Sequence, residues 1–507
     1  MTSMVKKIFS KVEFGDFQTP YSLACDICKF LDFLGIQPLS ILEPTCGVGN
    51  FLQGALQTFS TCKEFVGFDI NNEYLEEFKQ RTLSLPNSPV KLRNSNFFQV
   101  NWQDVLEKIP KPVLILGNPP WVTNSELGNL NGGNLPTKSN FQGYKGIDAL
   151  TGKSNFDISE WMITRLLYLL QEYDGYLAML CKTSVARKVL KQAWRNNYRL
   201  AKAAIYIIDA KKHFNVSVGA CLLLCWTGNS PSAPKCNVYE GLSNNNKIAS
   251  IGMCGSELLA DVEMYHKWSR LDGREHYKWR SGVKHDCAKV MEFYREGNIL
   301  RNGLGETCCL EDKYLYPIYK SSDIAGNNNV CPRLWVLITQ KNVKDDTENI
   351  KELAQKTWDY LVAHAEMLDN RKSAIYRKRP RFSIFGIGEY SFSPWKVAIS
   401  GLYKNTNFAV ISPHEGRPAM LDDTCYFISC NNNEEAKLLS GLLNSEAAKK
   451  FIRSLVFLDS KRPVTLDILR RLDLMALAEE LGKKELLQRF VACPKKCQAE
   501  TLQKNLF

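Results

Sequence analysis

Long apolar runs are missing from this chain: among its 507 residues none approaches the ~18–20 consecutive apolar residues that a membrane span requires. The first residues, Met1 to Lys11, carry charge with no apolar stretch behind them, so no secretion signal and no membrane partner are expected. Internal repeats and low-complexity tracts are also lacking, which excludes repeat architectures. Zinc-type spacing is incomplete. Cys25-x-x-Cys28 has no second CxxC at ribbon distance and lies in an amphipathic helical pattern, and Cys493 and Cys497 are equally isolated, so no metal is expected. The 17 cysteines are odd in number and scattered, several inside apolar runs (Cys181, Cys221, Cys225). They read as reduced, small hydrophobic residues of a cytoplasmic protein.

What is present is globular. Hydrophobic residues make up 45% and charged residues 23%. The length exceeds what one ordinary core accommodates, so two domains are expected. The net charge of +12 is spread over both halves and suggests a polyanionic partner. From about residue 20 to 225, strand-like runs alternate with helical patterns. The strands are Ser40–Glu43, Glu64–Asp69, Val90–Arg93, Val113–Leu116, Tyr176–Leu180, Ala203–Ile208 and Ala220–Trp226; helices between them include Asn50–Thr58, Glu73–Thr82 and Asp157–Tyr173. This alternation predicts an α/β fold with a mostly parallel sheet, whose ligands sit at the carboxyl ends of the strands. The polar, proline-containing stretch Thr227–Pro234 then marks a boundary, giving domains 1–228 and 235–507. The second domain reads as α+β, with a helix-rich end over Glu434–Leu481.

Two motifs carry chemistry. In the first, Ser40–Glu43 leads through Pro44-Thr45-Cys46-Gly47-Val48-Gly49 into a helix, and Asp69 ends the next strand. Glycines allow a tight turn and close backbone approach, and an acid at that spacing can accept ribose hydroxyls. No G-x-G-x-x-G phosphate cradle exists, which favours a nucleoside without pyrophosphate; an ordinary β-α loop is the alternative. In the second, an apolar strand runs into Asn118-Pro119-Pro120-Trp121. Two prolines fix φ and remove donors, leaving a rigid array of carbonyls. Methyl transfer to a planar amino nitrogen needs such an array. The Asn118 side-chain oxygen and the Pro119 carbonyl can accept both N–H bonds and free the nitrogen lone pair toward a sulfonium methyl. Trp121 offers a face to an extruded base; a strand-ending turn with a core tryptophan is the alternative. The chain has no Pro-Cys dipeptide of the kind that supplies the nucleophile for methylation at cytosine C5.

Over residues 14–226 these motifs resemble the gamma class of adenine-N6 DNA methyltransferases, the group found with bacterial restriction systems. The resemblance implies a Rossmann-like class I methyltransferase domain using S-adenosylmethionine. Phe14-Gly15-Asp16-Phe17-Gln18-Thr19-Pro20 is similar to the family's N-terminal motif at the methionine end of the cofactor. Glu43, Cys46, Gly47 and Gly49 match the first motif, and Asp69, with Ile70 after it, matches the ribose acid. Asn96-Phe97 falls where the family has Asp-Phe beside the cofactor adenine, and Asn118 belongs to both the cofactor and the catalytic set. Trp121 stands where Tyr is more frequent. Asp157 and Asp174-Gly175-Tyr176 look like the following motifs, and His213-Phe214 like the motif whose aromatic packs the target base; a core aromatic is the alternative for Phe214.

Such an adenine must leave the stack to react, so the remainder of the chain is expected to grip duplex DNA as a target-recognition domain. Lys278 and Arg280, then Arg371, Lys372, Arg377, Lys378, Arg379 and Arg381, then Lys461 and Arg462 supply basic residues interleaved with aromatics. A solvated charged face is the alternative for residues 371–381. The chain is expected to act as a monomer, with any endonuclease encoded separately, since no acid-x-acid-Lys constellation stands out. Two other functions remain open: a methyltransferase for another planar nitrogen (release-factor glutamine, ribosomal RNA guanine or cytosine N4), and a DNA-binding module without catalysis.

Overall fold

The computed structural model describes residues 18–82, 89–122, 157–228, 233–243, 245–297, 299–326 and 331–491. Phe14–Phe17 of the N-terminal motif, residues 229–232 of the expected linker, and Cys493 and Cys497 lie outside them. The chain forms two compact units, Met1–Glu263 and Met264–Phe507.

The first unit is built on one sheet of ten strands among the described residues: β1 (Ser40–Glu43), β2 (Glu64–Asp69), β3 (Val90–Asn94), β4 (Val113–Gly117), β5 (Gly175–Lys182), β6 (Leu200–Ile208), β7 (Ala220–Thr227), β8 (Lys235–Tyr239), β9 (Lys247–Cys254) and β10 (Glu257–Leu259). Their spatial order is β10-β9-β8-β6-β7-β5-β4-β1-β2-β3. β3, β2, β1, β4 and β5 pair in parallel, and β7 runs antiparallel between β5 and β6. The central strands β1 and β4 are buried along their whole length, as continuous apolar runs covered on both faces require.

The helices are α1 (Tyr21–Phe33), α2 (Asn50–Thr58), α3 (Asn72–Thr82), α4 (Trp102–Lys108), α5 (Ile158–Leu170), α6 (Thr183–Arg195) and α7 (Ala210–Phe214). α1 buries Leu23, Ala24, Ile27, Cys28, Phe30 and Leu31, a stripe at helical spacing. It crosses α2 closely: a Cβ at Gly54 would come within 3.3 Å of the Cys25 backbone. The CxxC pair thus belongs to a helix crossing, and the buried Cys28 thiol donates toward the Phe51 carbonyl.

The expected boundary at residues 228–235 is corrected. β8 pairs in parallel with β6, and β9 and β10 continue the same sheet. β7 and β8, the strands on either side of the Pro-rich stretch, both hydrogen-bond to β6, so the sheet of the first unit continues past it.

The second unit is α+β. One sheet has the order β14 (Thr307–Cys308), β13 (Ile299–Asn302), β12 (Glu292–Glu296), β16 (Leu334–Leu337), β15 (Leu315–Tyr319), β19 (Met420–Leu421). The other has the order β11 (Arg280–Ser281), β20 (Cys425–Cys430), β17 (Trp395–Ser400), β18 (Ala409–Ile411). Helices Asn433–Leu443, Glu446–Leu455, Leu466–Arg471, Leu474–Glu480 and Lys484–Val491 follow. Among the described residues no helix is long and apolar enough to cross a membrane.

Candidate active site and cofactor site

Strand order reverses between β1 and β4, and the sequence-predicted residues gather at the carboxyl ends of the strands around this switch point, where α/β sheets bind ligands. After β1 the backbone turns left-handed at Gly47 (φ 50°) and Gly49 (φ 76°). A Cβ at Gly47 would stand 2.4 Å from the Gln18 side-chain oxygen, and one at Gly49 2.3 Å from the Phe78 ring. Both positions therefore favour glycine for conformation, and Gly49 for space as well. Asp69 closes the turn from β2. Its Oδ2 accepts the Gly47 N–H at 2.8 Å and its Oδ1 the Asn71 N–H at 2.8 Å, which fixes the carboxylate against the turn. Asn94 at the end of β3 donates to the Asp69 and Ile70 carbonyls, and the Ile70 side chain stays exposed.

The segment before α1 is tied to the same turn. Gln18 Oε1 accepts the Val48 N–H at 3.3 Å, and Asn50 donates to the Thr19 carbonyl at 2.8 Å; Pro20 opens α1. Glu43 is buried beneath the turn, and its Oε2 and the Thr45 hydroxyl have no hydrogen-bond partner among the described residues. Burial pushes the Glu43 carboxyl well above the usual range, Asp69 adds to this, and the Leu52 backbone N–H opposes it. Burial, then Glu43 and Asp69, likewise push the Cys46 thiol up. A glycine cradle closed by the Asp69 carboxylate, with a buried Glu43 carboxyl beneath it that a nearby cation would help to ionise, fits S-adenosylmethionine with its sulfonium and ammonium.

Asn96 and Phe97 stand at the next strand end, with a qualification for each. The Asn96 side-chain oxygen already accepts the Phe98 N–H at 3.0 Å, capping a short 3-10 turn. Phe97 is buried, 4.7 Å from the Trp102 ring centroid.

Asn118, Pro119 and Pro120 follow β4 directly, with Asn118 half-buried at the sheet edge. Trp121 and Phe214, 93 positions apart in the sequence, meet edge to face with ring centroids 5.2 Å apart. The Trp121 ring is only 5% exposed. The expected open stacking face is therefore covered, in part by Phe214, and the ring belongs to the core cluster of the first unit. Lys182, at the end of β5, was not anticipated. It donates to the Trp121 carbonyl at 3.1 Å and pairs with Asp157 at 2.7 Å. The available signal was a lysine ending an otherwise apolar strand.

The basic residues of the second unit separate into two groups. Arg371 donates to the Leu368, His285 and Ser383 carbonyls and lies 3.7 Å from the Tyr376 ring centroid; burial lowers its pKa. It is a structural residue. Arg381 holds Asp369 in a bidentate pair. Arg377 and Lys378 are exposed with no side-chain acceptor among the described residues, and Arg379 lies over the Phe385 ring. Arg371, Lys372, Arg377, Arg379 and Arg381 line an open depression of about 490 Å³. Lys278 is exposed and Arg280 lies over Tyr390. Lys461 and Arg462 are exposed, Arg462 lying 3.9 Å from Asp423.

A parallel sheet with the order β3-β2-β1-β4-β5-β7-β6, an antiparallel β7, a glycine turn after β1 and an acid ending β2 define a class I methyltransferase, and S-adenosylmethionine is its methyl donor. The chain is 46% identical over 471 residues to the Type II methyltransferase M.NspV of Nostoc sp. (strain ATCC 29411 / PCC 7524), covering 93% of this chain and 98% of that protein. It belongs to the Type II methyltransferases, the DNA-methylating enzymes of restriction–modification systems. The Type IIL restriction-modification enzyme MmeI, solved in complex with DNA, shares the fold with a TM-score of 0.53 at 14% identity, covering 96% of this chain and 69% of that one. No protein-family model matches the chain.

Proposed function

We propose that the enzyme methylates N6 of an adenine turned out of duplex DNA, with the first unit, Met1–Glu263, supplying catalysis and the second, Met264–Phe507, gripping the target. The observation that carries this reading is the position of Asn118-Pro119 at the carboxyl end of β4, next to the glycine turn and beside the Trp121–Phe214 pair. The cofactor supplies an electrophilic methyl group on a sulfonium. The chain's own residues do the rest. Asn118 Oδ1 and the Pro119 carbonyl accept the two N–H bonds of the amine, which raises the electron density on its nitrogen. With the lone pair so exposed, the amine would take the methyl that the cofactor would supply, and its released proton would pass to water along the hydrogen bonds to Asn118 Oδ1 and the Pro119 carbonyl. Gln18, Thr19, Pro20, Glu43, Cys46, Gly47, Gly49, Asp69, Ile70, Asn96 and Phe97 hold the cofactor, and Phe214 confines the base. Lys278, Arg280, Arg377, Lys378, Arg379, Arg381, Lys461 and Arg462 form the phosphate grip in this reading, Arg381 and Arg462 being already paired with carboxylates. The enzyme acts as a monomer beside a separately encoded endonuclease. Incubation with duplex DNA and labelled S-adenosylmethionine, followed by nucleoside analysis, tests the proposal. Label in N6-methyladenine is expected; label in N4-methylcytosine, or none in DNA, overturns it.

A further inference from the structure

The exit of the Asn118–Trp121 segment is fastened at two successive carbonyls. The Trp121 carbonyl accepts from Lys182 Nζ at 3.1 Å, and the Val122 carbonyl accepts the Ile158 N–H at 2.9 Å. Lys182 is itself held. Its ammonium pairs with Asp157 Oδ2 at 2.7 Å, with the two side chains only 24% and 8% exposed. Asp157 is fixed in turn, because its other oxygen accepts the Ser159 N–H and hydroxyl at the start of α5. A charge-assisted bond with so little exposure to water is strong and directional. The entrance of the segment is anchored by β4, which pairs with β5 up to Gly117–Met179. Between entrance and exit stand two prolines, whose fixed φ angles leave little slack. A shift of the Trp121 carbonyl is therefore transmitted to the Pro119 carbonyl rather than absorbed.

We infer that Lys182 is a positioning residue for methyl transfer: by holding the Trp121 carbonyl against Asp157, it sets where the Asn118 side chain and the Pro119 carbonyl stand. This inference rests on the proposal that these two groups receive the amine. The test measures kcat, the KM for DNA, cofactor affinity by calorimetry and melting temperature for Lys182→Met, Lys182→Arg and Asp157→Asn. Misplacement of reacting groups by about an ångström costs on the order of 100-fold in rate. Lys182→Met is expected to lose about that much kcat, with KM and cofactor affinity within about threefold of wild type. Lys182→Arg, which restores a cation, is expected to recover most of the loss. A folded Lys182→Met with unchanged kcat overturns the inference, as does a kcat loss matched by an equal loss of cofactor affinity. If Lys182→Met does not fold, Asp157→Asn takes its place, and unchanged kcat in that variant overturns it. Product analysis of the wild-type enzyme keeps the two readings apart: a methylated base other than adenine sinks the adenine assignment and leaves the Lys182 comparison standing.

Discussion

In the first unit, Gln18, Glu43, Asp69, Asn118 and Phe214, scattered over nearly two hundred positions, come to one edge of one sheet. In the second unit, Arg371 and Arg381, close neighbours in the sequence, point to different tasks from Arg377 and Lys378 between them. The difference comes from topology. Parallel strands deliver every strand end to the same side, so a motif that ends a strand is placed by the fold itself. No such rule governs a charged stretch of short helical turns. There each guanidinium goes to the nearest carbonyl or carboxylate, and only the remainder faces outward.

The strongest way to break this comparison is at the placed site. Asn118→Ala should lower kcat by about 10²–10³-fold, the usual cost of losing one group aimed at the transition state, while calorimetry still detects cofactor binding. Unaltered turnover would remove the site from the sheet edge.

A buried cation in the second unit sharpens the contrast with the buried acid Glu43. Lys396 is buried in β17, bonded to the Ser393 carbonyl at 2.7 Å, and burial lowers its pKa to about 7. Its unfolded value lies near 10.4, so the unfolded chain binds more protons between those limits and stability rises with pH across them. Lys396→Met should therefore stabilise the protein by on the order of a few kcal/mol at pH 6, with the gain shrinking by pH 10. Thermal melts across that range check it; a pH-independent gain would contradict it.

Gly49→Ala comes next. Its left-handed φ and the Phe78 ring at 2.3 Å predict a cost of about 1–3 kcal/mol, read as a lower melting temperature together with weakened cofactor binding. The smallest effects belong to the basic cluster. Arg377→Ala and Lys378→Ala should each reduce the slope of log affinity against log salt by about one without changing the melting temperature. Arg371→Ala should do the reverse. Arg381→Ala, breaking an exposed pair, should move stability by no more than about 1 kcal/mol.

Much of the first unit was legible from the sequence. The seven expected strands are present with their ends extended by a few residues at most, most of them because buried strands are continuous apolar runs; β3 is the partly exposed exception. The glycine turn and Asp69 were legible because the turn needs residues without a Cβ and the acid needs a fixed spacing. Lys182 was not, because a single lysine at a strand end has no pattern; only the pairing of β4 with β5 brings it to Trp121. The burial of Trp121 was hidden for the same reason, since its neighbour Phe214 is remote in sequence. In the second unit the α+β character and the helical end were visible, but the partners of its arginines depend on where carbonyls happen to lie in folded turns.

The pairing of β8 with β6 carries a practical lesson for anyone dividing the molecule. A cut at the proline-containing loop would tear a strand from its neighbour and leave a ragged, adhesive border on the catalytic half. The two compact units divide at Glu263, inside the helix Val262–Trp268, well past the stretch where the amino acids look loosest.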